Sequence, residues 1–181
     1  FYIGEWRDGK ANGQGKFVHL NGSVYEGNWK DNLQDGEGTE TFPDGSIYKG
    51  HYCHGEKKGK GCFTWKNGAS YKGDFDSNQI NGVGVYTFND KRKYTGEWKN
   101  NKMNGHGKFE WPDGRVYIGQ YKEDKKDGEG EYEWPDGRKY KGFWKDGKQH
   151  GEGQFYIVKK KMWKKGICNN GKRIKWIDEF S

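Results

Sequence analysis

Large aliphatic side chains, proline and cysteine are all scarce in this chain, and each scarcity excludes something. Leu, Ile, Val and Phe together make up only 26 of 181 residues, too few for a deep aliphatic core and close to the composition of a disordered chain. No run of about 18 apolar residues occurs, which leaves no candidate for a membrane-spanning helix. The three cysteines, Cys53, Cys62 and Cys168, are odd in number and have no metal-knuckle spacing. A disulfide framework is therefore excluded and free thiols in a reducing, cytoplasmic setting are expected. Phe1 is not an initiator Met and already lies inside a repeat, so the chain is expected to be a fragment, with any targeting signal upstream of it.

What the chain has instead is glycine and rings. There are 31 Gly and, counting 9 Trp, 12 Tyr and 10 Phe, as many aromatics; packed rings bury roughly 150–250 Å² each. They recur at a fixed period. Tyr2, Tyr25, Tyr48, Tyr71, Tyr94, Tyr117 and Tyr140 are 23 residues apart without insertion, each followed two residues later by glycine (Gly4 through Gly142). A second aromatic comes two residues further on: Trp6, Trp29, Tyr52, Phe75, Trp98, Tyr121 and Trp144. Gly-x-Gly doublets then run in phase from Gly13/Gly15 to Gly151/Gly153. Seven copies in register make this a repeat array.

Within one repeat the alternation has period two, the strand period. Helix is excluded because two to four glycines per repeat would each cost about 1 kcal/mol. Tyr-x-Gly-x-Trp reads as one short strand, and Gly-x-Gly-x-aromatic-x-aromatic as the next. A polar linker joins them, in which Gly9, Asn32, Gly55, Asn78, Asn101 and Gly147 share a position suited to positive φ. Turns between repeats are Pro-Asp-Gly at 43–45, 112–114 and 135–137, and Asn-Gly at 21–22 and 67–68. Across the strands, Tyr117 is expected to oppose Trp134, Gly119 to oppose Tyr132, and Tyr121 to oppose Gly130, each ring compensating a bare glycine. The predicted fold is all-β: an elongated, twisted, single-layer antiparallel meander of seven hairpins over 1–157, about 65 Å long at ~4.8 Å per strand. Residues 158–181 are expected to form a basic terminal hairpin covering the last edge, with Lys165 in the glycine place, 25 residues after Tyr140.

These repeats resemble the MORN (membrane occupation and recognition nexus) family, whose unit runs Tyr-x-Gly, then Trp or Tyr, then Gly-x-Gly, over residues 1–157. The resemblance implies a scaffold rather than an enzyme, without cofactors, in cytoskeletal, ciliary, cortical or membrane-contact assemblies. It also implies a protein partner, as a helix or extended segment in the groove of the sheet, or a homodimer. The alternative it implies is an accessory region of a larger enzyme, of lipid-kinase or lysine-methyltransferase type.

No catalytic constellation is present in the sequence. Gly-x-Gly opens strands here, not the helix a phosphate cradle needs. His51 and His54 would share a metal only with a third ligand, for which Cys53 stands nearest, so they read as polar strand and loop residues and no metal site is expected. Lys57-Lys58 and Lys125-Lys126 read as solvated linker residues. Charge is uneven: 158–181 carries eight basic and two acidic side chains, and so six of the seven net positive charges. Exposed Lys–Glu pairs are expected to balance the repeat body (Lys99, Lys122 and Lys145 against Glu110, Glu131 and Glu133). With no basic stripe along the array, extended nucleic-acid binding is not indicated. Two candidate surfaces follow. The ring face offers Trp29, Tyr48, Tyr52, Tyr71, Phe75, Tyr94, Trp98, Tyr117 and Tyr121 to a protein partner. Lys159, Lys160, Lys161, Lys164 and Lys165 are the candidate contact for an anionic surface such as membrane lipid, or a guard against edge-to-edge pairing.

Overall fold

The computed structural model describes residues 1–177; the last four residues of the expected terminal hairpin lie outside them. The described residues form two compact units, 1–90 and 91–177. The first holds β1 (Tyr2–Arg7), β2 (Lys10–Val18), β3 (Val24–Lys30), β4 (Leu33–Thr41), β5 (Ile47–Cys53), β6 (Glu56–Thr64), β7 (Ser70–Asp76) and β8 (Gln79–Thr87). The second holds β9 (Lys93–Lys99), β10 (Lys102–Glu110), β11 (Val116–Lys122), β12 (Lys125–Glu133), β13 (Lys139–Lys145), β14 (Lys148–Ile157), β15 (Met162–Asn169) and β16 (Lys172–Trp176). In each unit the strands pair antiparallel in chain order, as one layer. The all-β hairpin meander read from the period is therefore the fold. Among the described residues no helix is long and apolar enough to cross a membrane.

Two details differ from expectation, and both matter for the ring face. The polar linker is not a loop. Its residues begin the second strand, and the turn is two residues long, both with positive φ: Asp31 at 46° and Asn32 at 69°, Glu123 at 46° and Asp124 at 69°. That is the hairpin turn whose twist matches the strands. Register also differs. Tyr117 pairs with Tyr132, Gly119 with Gly130, and Tyr121 with Lys126, across a bulge. Glycine therefore faces glycine, and the ring of Tyr117 leans diagonally over the bare pair. The bulge is made by the first glycine of the doublet, Gly128, whose φ of 96° no β-carbon favours.

The terminal hairpin is shifted by one residue. The 3-10 turn Val158–Lys160, closed by Lys161 at φ 49°, adds a position before β15. Gly153 therefore pairs with Gly166 and Phe155 with Lys164, and Lys165 does not hold the glycine place. The expected charge pairs also move. Lys99, Lys122 and Lys145 face Lys102, Lys125 and Lys148 across their turns, whereas Glu110 and Glu133 reach Lys93 (3.7 Å) and Lys139 (3.4 Å).

Candidate functional site

The ring face is built in two tiers. The floor is the repeated tyrosine: Tyr25, Tyr48, Tyr71, Tyr94, Tyr117 and Tyr140 have no exposed surface. Each lies on the second glycine of a doublet and donates its hydroxyl to the backbone carbonyl three residues on, at 2.8–2.9 Å. A buried hydroxyl needs such a partner. The second aromatics stand edge-on between successive tyrosines. Tyr52 contacts Tyr48 at 5.2 Å and Tyr25 at 5.1 Å, with interplanar angles of 88° and 87°. Tyr121 repeats this against Tyr117 and Tyr94, both at 5.2 Å. Such T-shaped contacts contribute about 0.5–1.5 kcal/mol each beyond burial.

This ladder corrects the partner-contact assignment. Tyr48, Tyr52, Tyr71, Phe75, Tyr94, Trp98, Tyr117 and Tyr121 are all buried in the floor, and Trp29 is half-buried with its indole N–H donated to the Gly15 carbonyl at 3.0 Å. Their surface is consumed by glycine backbone and neighbouring rings, so they shape the face without lying open on it. The accessible tier comes from the ends of the second strands. In the first unit Phe42, Phe63, Trp65, Tyr86 and Phe88 form a continuous half-buried row at ring separations of 4.6–5.7 Å. In the second, Phe109, Trp111, Tyr132 and Trp134 form a row at 4.4–5.5 Å, in which Phe109 and Tyr132 are buried and Trp111 and Trp134 half-exposed. Sequence carried the signal for this tier: these rings continue the alternation beyond the glycine, where a single-layer sheet has nothing to lay over them.

Charged groups are packed into the rings. Lys126, expected to be solvated, places its ammonium 5.3–5.8 Å from the ring centres of Trp111, Tyr117, Tyr132 and Trp144. Lys57 does the same against Phe42, Tyr48 and Tyr52 at 5.2–5.9 Å. Burial pushes both lysines below their ordinary pKa; the Arg115 charge adds to this at Lys126, and Glu40 opposes it at Lys57. Glu40 itself stands where other repeats have a ring and accepts the Tyr52 hydroxyl at 2.6 Å. In the Trp-Pro-Asp-Gly-Arg turns, Arg115 covers Trp111 at 4.9 Å and Arg138 covers Trp134 at 5.2 Å. Asp113 and Asp136 hold these arginines in place, their carboxyls kept low first by the arginine backbone N–H groups.

The place of Lys126 is taken by Ile80 and Met103 in other repeats. Lys126→Met is accordingly expected to fold. A lysine whose folded pKa is depressed leaves the unfolded chain holding the extra proton, so wild-type stability rises with pH in the window below about 10.4. One proton limits that rise to about 1.4 kcal/mol per pH unit. Thermal melts between neutral pH and about pH 9.5 should show a smaller rise in the variant; identical profiles would contradict the desolvated lysine.

The opposite face carries its own feature in the second unit. A concavity of about 580 Å³ is floored by Gly119, Gly130, Gly142 and Gly153 and flanked by Ile118, Phe143 and Ile177. Phe143 stands where other repeats place a side chain that caps the bulge, such as Gln120 accepting from the Glu129 N–H at 2.9 Å. It is 49% exposed. The expected lysine cluster is divided: Lys159, Lys160 and Lys161 are exposed in the 3-10 turn, Lys164 lies 4.5 Å from the Trp176 ring, and Lys165 lines the opposite-face concavity.

The model of the MORN repeat matches residues 2–24, 25–47, 48–70, 71–91, 94–114, 117–137 and 140–159. No curated protein matches the chain. Among solved structures, the chain is similar in fold to the SAS-4 (dCPAP) TCP domain of Drosophila melanogaster in complex with a proline-rich motif of Ana2 (dSTIL). The TM-score is 0.53 at 9% identity, covering 87% of this chain and 86% of that one. The microcephaly protein CPAP G-box domain matches at TM-score 0.46, 18% identity and coverage of 89% and 96%. The Danio rerio CPAP TCP10 domain matches at 0.37, 14% identity and coverage of 94% and 90%.

Proposed function

This chain belongs to the MORN-repeat family, and on that premise we propose that it is a non-enzymatic scaffold whose ring face receives an extended segment of a partner protein. The carrying observation is the set of partly exposed rings above a buried floor, Phe42, Phe63, Trp65, Tyr86 and Phe88 in one unit and Trp111 and Trp134 in the other. Rigid aromatic rows suit extended, proline-bearing segments, which bring a preformed backbone and little ordering cost. The similar SAS-4 domain, in complex with a proline-rich motif, supports that ligand class here. A cytoskeletal or ciliary assembly is the proposed setting, and β15 and β16 the proposed end of the array.

The test is a random peptide library selected on the purified chain, with recovered peptides measured by fluorescence anisotropy. Trp111→Ser with Trp134→Ser is expected to weaken binding by about 100-fold or more, since tryptophan anchors at interfaces contribute about 2 kcal/mol or more apiece. Ile118→Ser with Phe143→Ser, on the opposite face, is expected to leave it unchanged. The reverse pattern would move the site to the concavity and overturn this reading.

A further inference from the structure

The second and third repeats carry a feature that the ring-face reading does not use. Where the hairpin turns from β5 into β6, the other repeats have Arg7, Lys30, Asp76, Lys99, Lys122 or Lys145 at the strand end, then Asp8, Asp31, Ser77, Asn100, Glu123 or Asp146. Here the pair is Cys53-His54, and Asp35 of β4 lies against it. Cys53 Sγ is 3.1 Å from His54 Nδ1. One ligand atom each from Asp35, Cys53 and His54 all lie within 4.8 Å of one another.

We propose that Asp35, Cys53 and His54 form a binding site for a zinc-class divalent cation, linking β4 to the β5–β6 turn and leaving a fourth position open to water. A thiolate, an imidazole and a carboxylate are the zinc donor set, with bonds of about 2.3, 2.0–2.1 and 2.0–2.2 Å. Bonds of that length at tetrahedral angles place donors roughly 3.3–3.7 Å apart. The 3.1 Å between Cys53 Sγ and His54 Nδ1 and the 4.8 Å limit on the whole set bracket that spacing. The backbone is already held: His54, with φ at 50°, donates its N–H to Asp35 Oδ2 at 3.1 Å. That link recurs where Asn12 accepts from Asp31 and Asn104 from Glu123. Asp35 thus fixes the turn with one oxygen and offers the other to the ion. Of the two histidines near Cys53, only His54 joins the cluster; His51 lies further down β5, facing Glu37 of β4.

The site is tested with cobalt(II) as a spectroscopic stand-in for zinc, titrated into the reduced full chain. The expected result is a thiolate-to-cobalt charge-transfer band with tetrahedral d–d absorption, bleached by added zinc. Cys53→Ser should abolish the charge-transfer band, and Asp35→Asn and His54→Asn should weaken cobalt affinity by at least about 10-fold. Asparagine keeps the turn at both places, as Asn12 and Asn100 do in other repeats. Cys62→Ser and Cys168→Ser should leave the spectrum intact. No band, or one that survives Cys53→Ser in a folded chain, overturns the site.

Discussion

Raised above pH 10, each unit is expected to unfold cooperatively, with tyrosinate formation and loss of strand circular dichroism in one step. Burial raises the pKa of Tyr25, Tyr48, Tyr52 and Tyr71 in the first unit, and of Tyr94, Tyr117, Tyr121 and Tyr140 in the second. At Tyr52 the hydrogen bond to Glu40 raises it further. A group whose folded pKa lies above its unfolded value contributes stability that is complete below the unfolded pKa, about 10, and lost as pH rises past it. Each tyrosine then contributes up to about 1.4 kcal/mol of destabilisation per pH unit, so four per unit give roughly 5–6 kcal/mol. A small domain's whole stability is about 5–15 kcal/mol, so about one to three pH units suffice. Lys57 and Lys126 act in the opposite sense, one proton each, and are outnumbered four to one. Tyrosinate absorbance following a shallow one-proton curve near pH 10, with the dichroism unchanged, would refute the buried floor.

Much of this was legible because each repeated residue has a local task that its type announces. Asn32 and Asn78, at φ 69° and 66°, were readable as turn residues from chemistry alone. The strand count followed from period two. Register was not legible, because Gly119 could face a ring or another glycine. In the structure the two glycines pair beneath the Tyr117 ring, whose hydroxyl reaches the Gln120 carbonyl at 2.8 Å, a contact no sequence pattern displays. The depth of the floor was hidden for the same reason: a ring that lies flat on glycine and a ring that waits for a partner look alike in one dimension. Lys126 reads as polar, yet across the strand it faces Tyr121, and a long apolar stem lets the charge sit under rings. The one-residue shift at β15 arises from the 3-10 turn, in a segment without glycine or proline to mark it.

Gly61→Ala is expected to be strongly destabilising in the first unit. Gly61 is not among the positive-φ glycines, so alanine suits its backbone and the entire cost is steric. A β-carbon there would lie 2.5 Å from Tyr48 Oη, 2.7 Å from Cε2 and 2.8 Å from Cζ, distances real contacts do not reach. Tyr48 cannot simply lift away. Its hydroxyl is donated to the His51 carbonyl at 2.9 Å, and its ring is held edge-on by Tyr52 and Phe75. Moving it forfeits a buried hydrogen bond and two ring contacts together, at about 3 kcal/mol or more. Gly9→Ala makes the contrast: its φ of 74° disfavours alanine, but nothing lies within 4 Å, so only about 1–2 kcal/mol of backbone cost applies. Urea midpoints at unchanged slope measure both. If the ring is the cause, Tyr48→Ala combined with Gly61→Ala should cost clearly less than the two alone summed, because the truncated side chain no longer meets the methyl. Strict additivity, or a Gly61→Ala cost near that of Gly9→Ala, would mean that the glycine is kept for backbone freedom and not for the ring that lies on it.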